Sequence, residues 1–100
     1  MKLIFSDIAK LEYEDIVFYL NDKFGKPLAS KFISQLQSQL KLVKQFPESS
    51  PLFFDTQNRK FMVNANVTVI YKINQYENRI EILNFWYNKS NPETILNHLE

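Results

Sequence analysis

The period of the apolar residues changes once along this chain, and that change limits what it can fold into. Up to Phe46 they recur every three or four positions; after Asn58 they recur every second position. The first spacing puts side chains on one face of a helix, the second on one face of a strand. Helices followed by strands, without βαβ alternation, define an α+β domain.

Ala9, Tyr13, Ile16, Leu20 and Phe24, with Val17 beside them, form the first helical stripe, in a pattern that opens at Ile8. Ser6 or Asp7 is placed to cap that helix by accepting a hydrogen bond from a free backbone N–H. The chain's one glycine, Gly25, stands where a left-handed C-terminal cap is needed, and Pro27 suits the first turn of a second helix. Ala29, Phe32, Ile33, Leu36, Leu40, Val43 and Phe46 form the second stripe, which Pro47 ends. A two-residue link predicts a helical hairpin. Residues 48–57 read as a loop, with Phe53 and Phe54 pinning part of it to the core.

Lys2 to Phe5 is a short β-prone run. Phe61 and Val63 alternate with Lys60 and Met62; Val67, Val69, Tyr71 and Ile73 alternate with Thr68, Ile70 and Lys72. Ile80, Ile82, Asn84 and Trp86 alternate with Glu81, Leu83 and Phe85. Asn64–Asn66 and Asn74–Asn78 are the turns between them. The expected order is β-α-α-β-β-β, with the hairpin on one face of a small, mainly antiparallel sheet. Asn91-Pro92 breaks the last strand, and Glu93–Glu100 is a short helix or a frayed tail. One domain spans residues 1–100, a length that leaves no room for a second.

The absence of Cys excludes disulfides and thiolate chemistry, and the single His98 argues against an imidazole metal cage or a Ser/His/Asp triad. One glycine cannot supply a phosphate-cradling loop. No cofactor or metal is expected. Every apolar run is interrupted by Lys or Asp, so no membrane span is expected, and the opening apolar run is too short for a signal peptide. The expected location is the cytoplasm.

A formal net charge of +1 conceals segregation. Residues 1–22 carry −3, residues 23–47 carry +5 with no acid, and the remainder carries −1. Such stripes are ordinarily solvated faces. The sharper reading makes Lys31, Lys41 and Lys44 a basic face for an acidic partner. Arg59 leads into a strand and offers a fork of donors, while Arg79 lies near Glu77 and Glu81 and reads as a surface pair. Metal-free RNA cleavage needs a base, an acid and cations on the phosphate. Arg59, Lys60, Lys72, Tyr87 and Lys89 are the candidates. Phe85-Trp86-Tyr87 offers rings for stacking on bases, but alternation sends Trp86 opposite its neighbours, so one side belongs to the core. Asp7, Glu12 and Asp15 on the first helix read as partners of its dipole rather than as metal ligands.

Over residues 2–92 the chain resembles the RelE/ParE superfamily of type II toxin–antitoxin toxins. The resemblance rests on Ala9, Ile16 and Tyr19, Phe24-Gly25, Ala29 and Phe32, and the spaced leucines ending at Pro47. It continues through Arg59, Val69-Ile70-Tyr71-Lys72-Ile73, Ile80–Leu83 and Asn91-Pro92. It implies a growth-inhibiting toxin, in settings such as plasmid stabilisation, that a cognate antitoxin wraps and neutralises. RelE-like members cleave mRNA in the ribosomal A site with a basic cluster; ParE-like members poison DNA gyrase by binding. Where the nuclease pattern has Arg before the Val-Ile-Tyr strand and before the final Asn/Asp-Pro, this chain has Thr68 and Ser90. Each missing donor removes about 3 kcal/mol of transition-state stabilisation in a comparable site. The expectation is therefore a ParE-like toxin that works on gyrase by binding. The alternatives are a ribosome-dependent mRNA endoribonuclease and a non-toxic domain that only binds an antitoxin. The antitoxin segment is expected to be acidic or amphipathic and to lie across the second helix or along a sheet edge.

Overall fold

Ser6 sets where the first helix begins and ties it to the far end of the sheet. Its Oγ accepts from the Ala9 backbone N–H at 3.0 Å and donates to the Leu83 carbonyl at 2.9 Å. In the computed structural model, which describes residues 1–54 and 56–88, six elements follow one another. They are β1 (Lys2–Phe5), α1 (Asp7–Phe24), α2 (Lys26–Gln45), β2 (Arg59–Asn64), β3 (Val67–Asn74) and β4 (Arg79–Tyr87). The fold is the expected α+β order, two helices on a four-stranded mixed sheet. The segment 93–100, read as a short helix or tail, lies outside the described residues.

Gly25 alone, not two residues, separates the helices. Its φ of 96° lies in the region that favours glycine, and its N–H donates to the Leu20 and Asn21 carbonyls. A Cβ there would meet Pro27 Cδ at an ordinary 3.7 Å, so backbone conformation and not space requires glycine.

The strand order is β1-β4-β3-β2, with β1 parallel to β4 and the other pairs antiparallel. Ile16, Leu20, Phe32, Leu36 and Val43 from the helices meet Phe61, Val69, Tyr71, Ile80, Ile82 and Phe85 in one core. Two residues assigned to the helical patterns stay out of it. Ile8 is exposed, and Phe46 is the C-cap of α2, past the last helical residue, and more than half exposed.

The expected alternation in β4 holds only to Ile82. Tyr71 pairs with Ile82 but Ile70 pairs with Asn84, so Leu83 is an extra residue in the ladder. This bulge moves β4 by one step. Phe85 and Tyr87 then point toward the helices, while Asn84 and Trp86 point away, correcting the grouping of Asn84 and Trp86 with Ile80 and Ile82. The bulge lies just past the end of β1, where β4 loses its neighbour. Glu12 supplies the missing acceptor: its Oε1 takes the Phe85 backbone N–H at 2.9 Å, with the Asn84 amide 3.4 Å away. Glu12 is thus fastened to the sheet and is not simply a dipole partner of its helix.

Side-chain bonds close the turns. Asn64 Oδ1 accepts from the backbone N–H groups of Asn66 and Val67, and buried Asn66 donates to the Asn88 carbonyl. In the next turn Asn74 Oδ1 accepts from the Glu77 N–H, and Asn78 adopts a φ of 52°.

Candidate functional site

The helices cover one face of the sheet, so the chemistry of each strand residue depends on which face it occupies. Lys60 and Met62 of β2, Thr68, Ile70 and Lys72 of β3, and Asn84 and Trp86 of β4 share the open face. Met62, Thr68 and Trp86 stand side by side across three strands. An open groove of about 360 Å³ runs along Lys60, Met62 and Thr68, bounded by Ser49, Ser50 and Pro51.

The sequence-derived cluster is divided by the sheet. Lys60 and Lys72 are exposed on the open face, whereas Arg59 and Tyr87 follow the alternation of the helix-covered face. Lys89 lies outside the described residues. Arg59 is committed locally: one guanidinium nitrogen donates to the Glu48 carbonyl at 3.1 Å and the Ser50 carbonyl at 2.7 Å. Those bonds hold the loop after α2 against β2, with help from buried Tyr71, whose hydroxyl donates to the Pro47 carbonyl at 2.6 Å. Tyr87 packs edge-on against Tyr19 with ring centres 5.5 Å apart. Burial, with a smaller contribution from Tyr19, pushes its phenol up to about 12. A proton held that tightly is poorly matched to general-base work near neutrality.

Arg79 occupies the surface pair expected of it, bonding Glu77 at 2.9 Å and Glu81 at 2.7 Å. The Arg79 bond holds the Glu81 carboxyl below its ordinary value against the opposing effect of desolvation, and the Asn74 amide adds to the lowering. The aromatic triplet also divides. Phe85 is buried against Phe5 and Tyr13, while Trp86 is about half exposed on the other face.

The loop carries the largest departure from expectation. Phe53 does lie over the sheet, its ring 5.2 Å from Trp86, but Phe54 is 82% exposed with a left-handed φ of 54°. Phe54 therefore pins nothing to the core. Leu52 pairs with Arg59, and the Phe53 N–H donates to the Asn58 carbonyl, so the loop doubles back and presents Phe54 outward.

The three lysines proposed as a basic face are spread along α2. Lys31 is half-buried beside Gln35, Asn64 and Asn66, whereas Lys41 and Lys44 are exposed roughly 15 Å or more further along the helix.

A second opening lies at the other side of the molecule. A groove of about 590 Å³ separates β1 from the helices, lined by Leu3, Phe5, Tyr13, Ile33, Leu36 and Leu40, with Lys10 and Glu14 also contributing. Among the described residues β1 is an edge strand whose one partner is β4. The Lys2 and Ser6 N–H groups donate to carbonyls of Asn78 and Ile82, so by the period of two the backbone groups of Leu3 and Phe5 face away from β4. An apolar groove beside an unpaired strand edge can accept an extended segment as a further strand. No residue pattern announced this groove, because an edge is created only when β1 joins β4.

Among the described residues no helix is long and apolar enough to cross a membrane. The site thus lies on two helices packed against one face of a four-stranded mixed sheet, with an apolar groove at its β1 edge. The family described as ParE toxin of the type II toxin–antitoxin system parDE matches residues 3–92, and the chain belongs to that family. No curated protein sequence matches it. Among solved structures it is similar to the chromosomal ParDE system of P. aeruginosa, with a TM-score of 0.73 at 15% identity over 89% of this chain and 97% of that one. It is also similar to a YoeB/ParE toxin from Agrobacterium tumefaciens (TM-score 0.65, 15% identity, 88% and 99% covered). The intact E. coli RelBE toxin–antitoxin complex matches with a TM-score of 0.61 at 16% identity, 88% and 96% covered. At these identities the structural likeness is one of fold, and it spans both ParE and RelE proteins.

Proposed function

We propose that this toxin acts by binding a protein target, DNA gyrase, and not by cutting RNA. The observation that supports this most is the division of the candidate catalytic groups. A ribonuclease site must bring base, acid and phosphate-binding cations to one reacting phosphate. Here Arg59 is spent on loop carbonyls, Tyr87 holds its proton on the helix-covered side, and Lys60 and Lys72 face the other way. Thr68 adds no cation to that face. The experiment is induction of the gene in growing cells. Growth arrest with gyrase-linked DNA breaks, and inhibition of purified gyrase by the purified chain, is the expected outcome. New codon-phased cuts in translated mRNA, with gyrase unaffected, would replace this reading by the RelE-like one. Normal growth would leave only antitoxin binding.

The same proposal assigns the partner surface. The P. aeruginosa and E. coli relatives were solved as toxin–antitoxin systems, and we place the cognate antitoxin of this chain in the β1 groove. Of the two routes the sequence leaves open, the sheet edge has both an apolar lining and backbone groups that no described strand pairs, whereas the α2 lysines are scattered. Ile33→Glu is expected to weaken the complex with a co-expressed antitoxin at least tenfold, while joint replacement of Lys31, Lys41 and Lys44 by Glu changes it less than threefold. The reverse order would restore the helix-two route.

A further inference from the structure

We infer that the open face of the sheet, centred on Phe54 and Trp86, is the surface that engages the toxin's protein target, through an apolar patch ringed by carboxylates on that target. This rests on the binding reading above and specifies where the binding occurs.

Three large apolar side chains converge there from three parts of the chain. Phe54 comes from the loop, Met62 from β2 and Trp86 from β4, each at least half exposed. Phe53 joins them, with its ring centre 4.6 Å from Phe54 and 5.2 Å from Trp86. Taking full aromatic areas of roughly 150–250 Å², the exposed part is on the order of 400 Å². Patches of that size on a single chain are commonly interaction sites.

Phe54 adds an independent reason. Its φ of 54° is a backbone region that a bulky residue seldom occupies, and burial does not repay it, since the ring is 82% exposed. Asn or Gly would sit there at less cost. Strain that presents an aromatic ring to solvent points to a use for that ring.

The charges around the patch indicate the partner's chemistry. Lys60 lies two residues before Met62 on the same face, and Lys72 lies further along β3. Among the described strand residues of this face the acid is Glu81, which stands opposite Lys72 and is bonded by Arg79. A carboxylate-rimmed protein surface would therefore meet cations. RNA fits less well: a strand needs a run of cations along its phosphates, and the described residues of this face offer two lysines, Lys60 and Lys72. The β1 groove lies at the opposite sheet edge from β2, so target and antitoxin would approach different parts of the molecule.

The test measures binding of purified DNA gyrase, and separately of a single-stranded RNA 20-mer, to the full chain and to Phe54→Gly, Trp86→Thr and Lys60→Glu. Phe54→Gly removes an exposed ring and relieves its backbone, so it keeps the test independent of folding. Thermal midpoints identify any variant that is damaged. The expected result is at least tenfold weaker gyrase binding for Phe54→Gly and Trp86→Thr, a smaller loss for Lys60→Glu, and no RNA binding. Gyrase binding unchanged in Phe54→Gly and Trp86→Thr overturns this inference and leaves the gyrase reading intact. Absence of gyrase binding by the unsubstituted chain overturns both. RNA binding that the same substitutions abolish assigns the face to nucleic acid and overturns it as well.

Discussion

Replacing Glu12 by Ala removes an acceptor from a backbone donor that has no described strand beside it. The Phe85 N–H donates to Glu12 Oε1 at 2.9 Å, and Phe85 is 3% exposed. A hydrogen bond to a charged acceptor contributes about 1.5–3 kcal/mol, and a buried donor left unsatisfied costs about 1–3 kcal/mol. Alanine's better helix propensity returns a few tenths of a kcal/mol at most. The expected net loss is about 2 kcal/mol. For a domain of this size that lowers the thermal midpoint by roughly 8–16 °C. Glu12→Gln keeps an oxygen in reach and is expected to lose no more than about 1 kcal/mol. Urea unfolding of the two variants and of exposed Glu14→Ala measures the differences. Amide exchange at Phe85, faster in Glu12→Ala than in the unsubstituted chain, would localise the effect. Equal stability of the Ala and Gln variants, or an Ala variant within 0.5 kcal/mol of the parent, would refute the assignment of this carboxylate as the strand's missing partner.

Three further outcomes are expected. Gly25→Ala should cost about 1–2 kcal/mol, because it forces a side chain into a left-handed backbone; a neutral effect in urea unfolding would mean the helix junction can relax. Arg59→Ala should free the loop from Glu48 and Ser50, giving faster proteolysis within residues 48–58 and a loss of about 1–2 kcal/mol; an unchanged cleavage rate would count against its structural role. Tyr87 has a folded-state pKa raised to about 12 from the ordinary phenol value. Its contribution to stability is therefore complete below that ordinary value and is lost as pH rises toward 12. Urea midpoints should fall more steeply between about pH 10 and 12 for the parent than for Tyr87→Phe, and parallel curves would contradict this.

The elements that local chemistry dictates were legible in the sequence. Gly25 ends a helix because glycine takes a left-handed φ at little cost, and Pro47 because it has no N–H to continue one, and the inward residues of β2 and β3 follow simple alternation. Features that depend on a distant neighbour were not. The Leu83 bulge sits one residue past Ile82, the partner of Phe5 at the end of β1 about eighty residues earlier, and there Glu12 becomes a strand partner. That one displaced residue decides that Trp86 faces away from Ile80 and Ile82. Arg59 illustrates the same limit. Its forked donors suit phosphate and carbonyl alike, and nothing local tells which oxygen will be close. The described members of the candidate cluster are divided because residues adjacent in sequence, Arg59 and Lys60, are sent to opposite faces by the pleat.

The pairing of β1 with β4 also has a consequence in time. Lys2 finds its partner Arg79 seventy-seven positions later, and Ser6 its carbonyl partner Leu83 at the same separation. At about 5–20 residues per second, synthesis delivers those partners roughly 4–15 s after the first strand. Until then the edge groove has no wall on its β1 side, and the helix that starts at Ser6 lacks its tie to the sheet. A nascent chain therefore has neither the groove proposed for the antitoxin nor the sheet face proposed for the target until β4 is made, and on that proposal the two surfaces arise together.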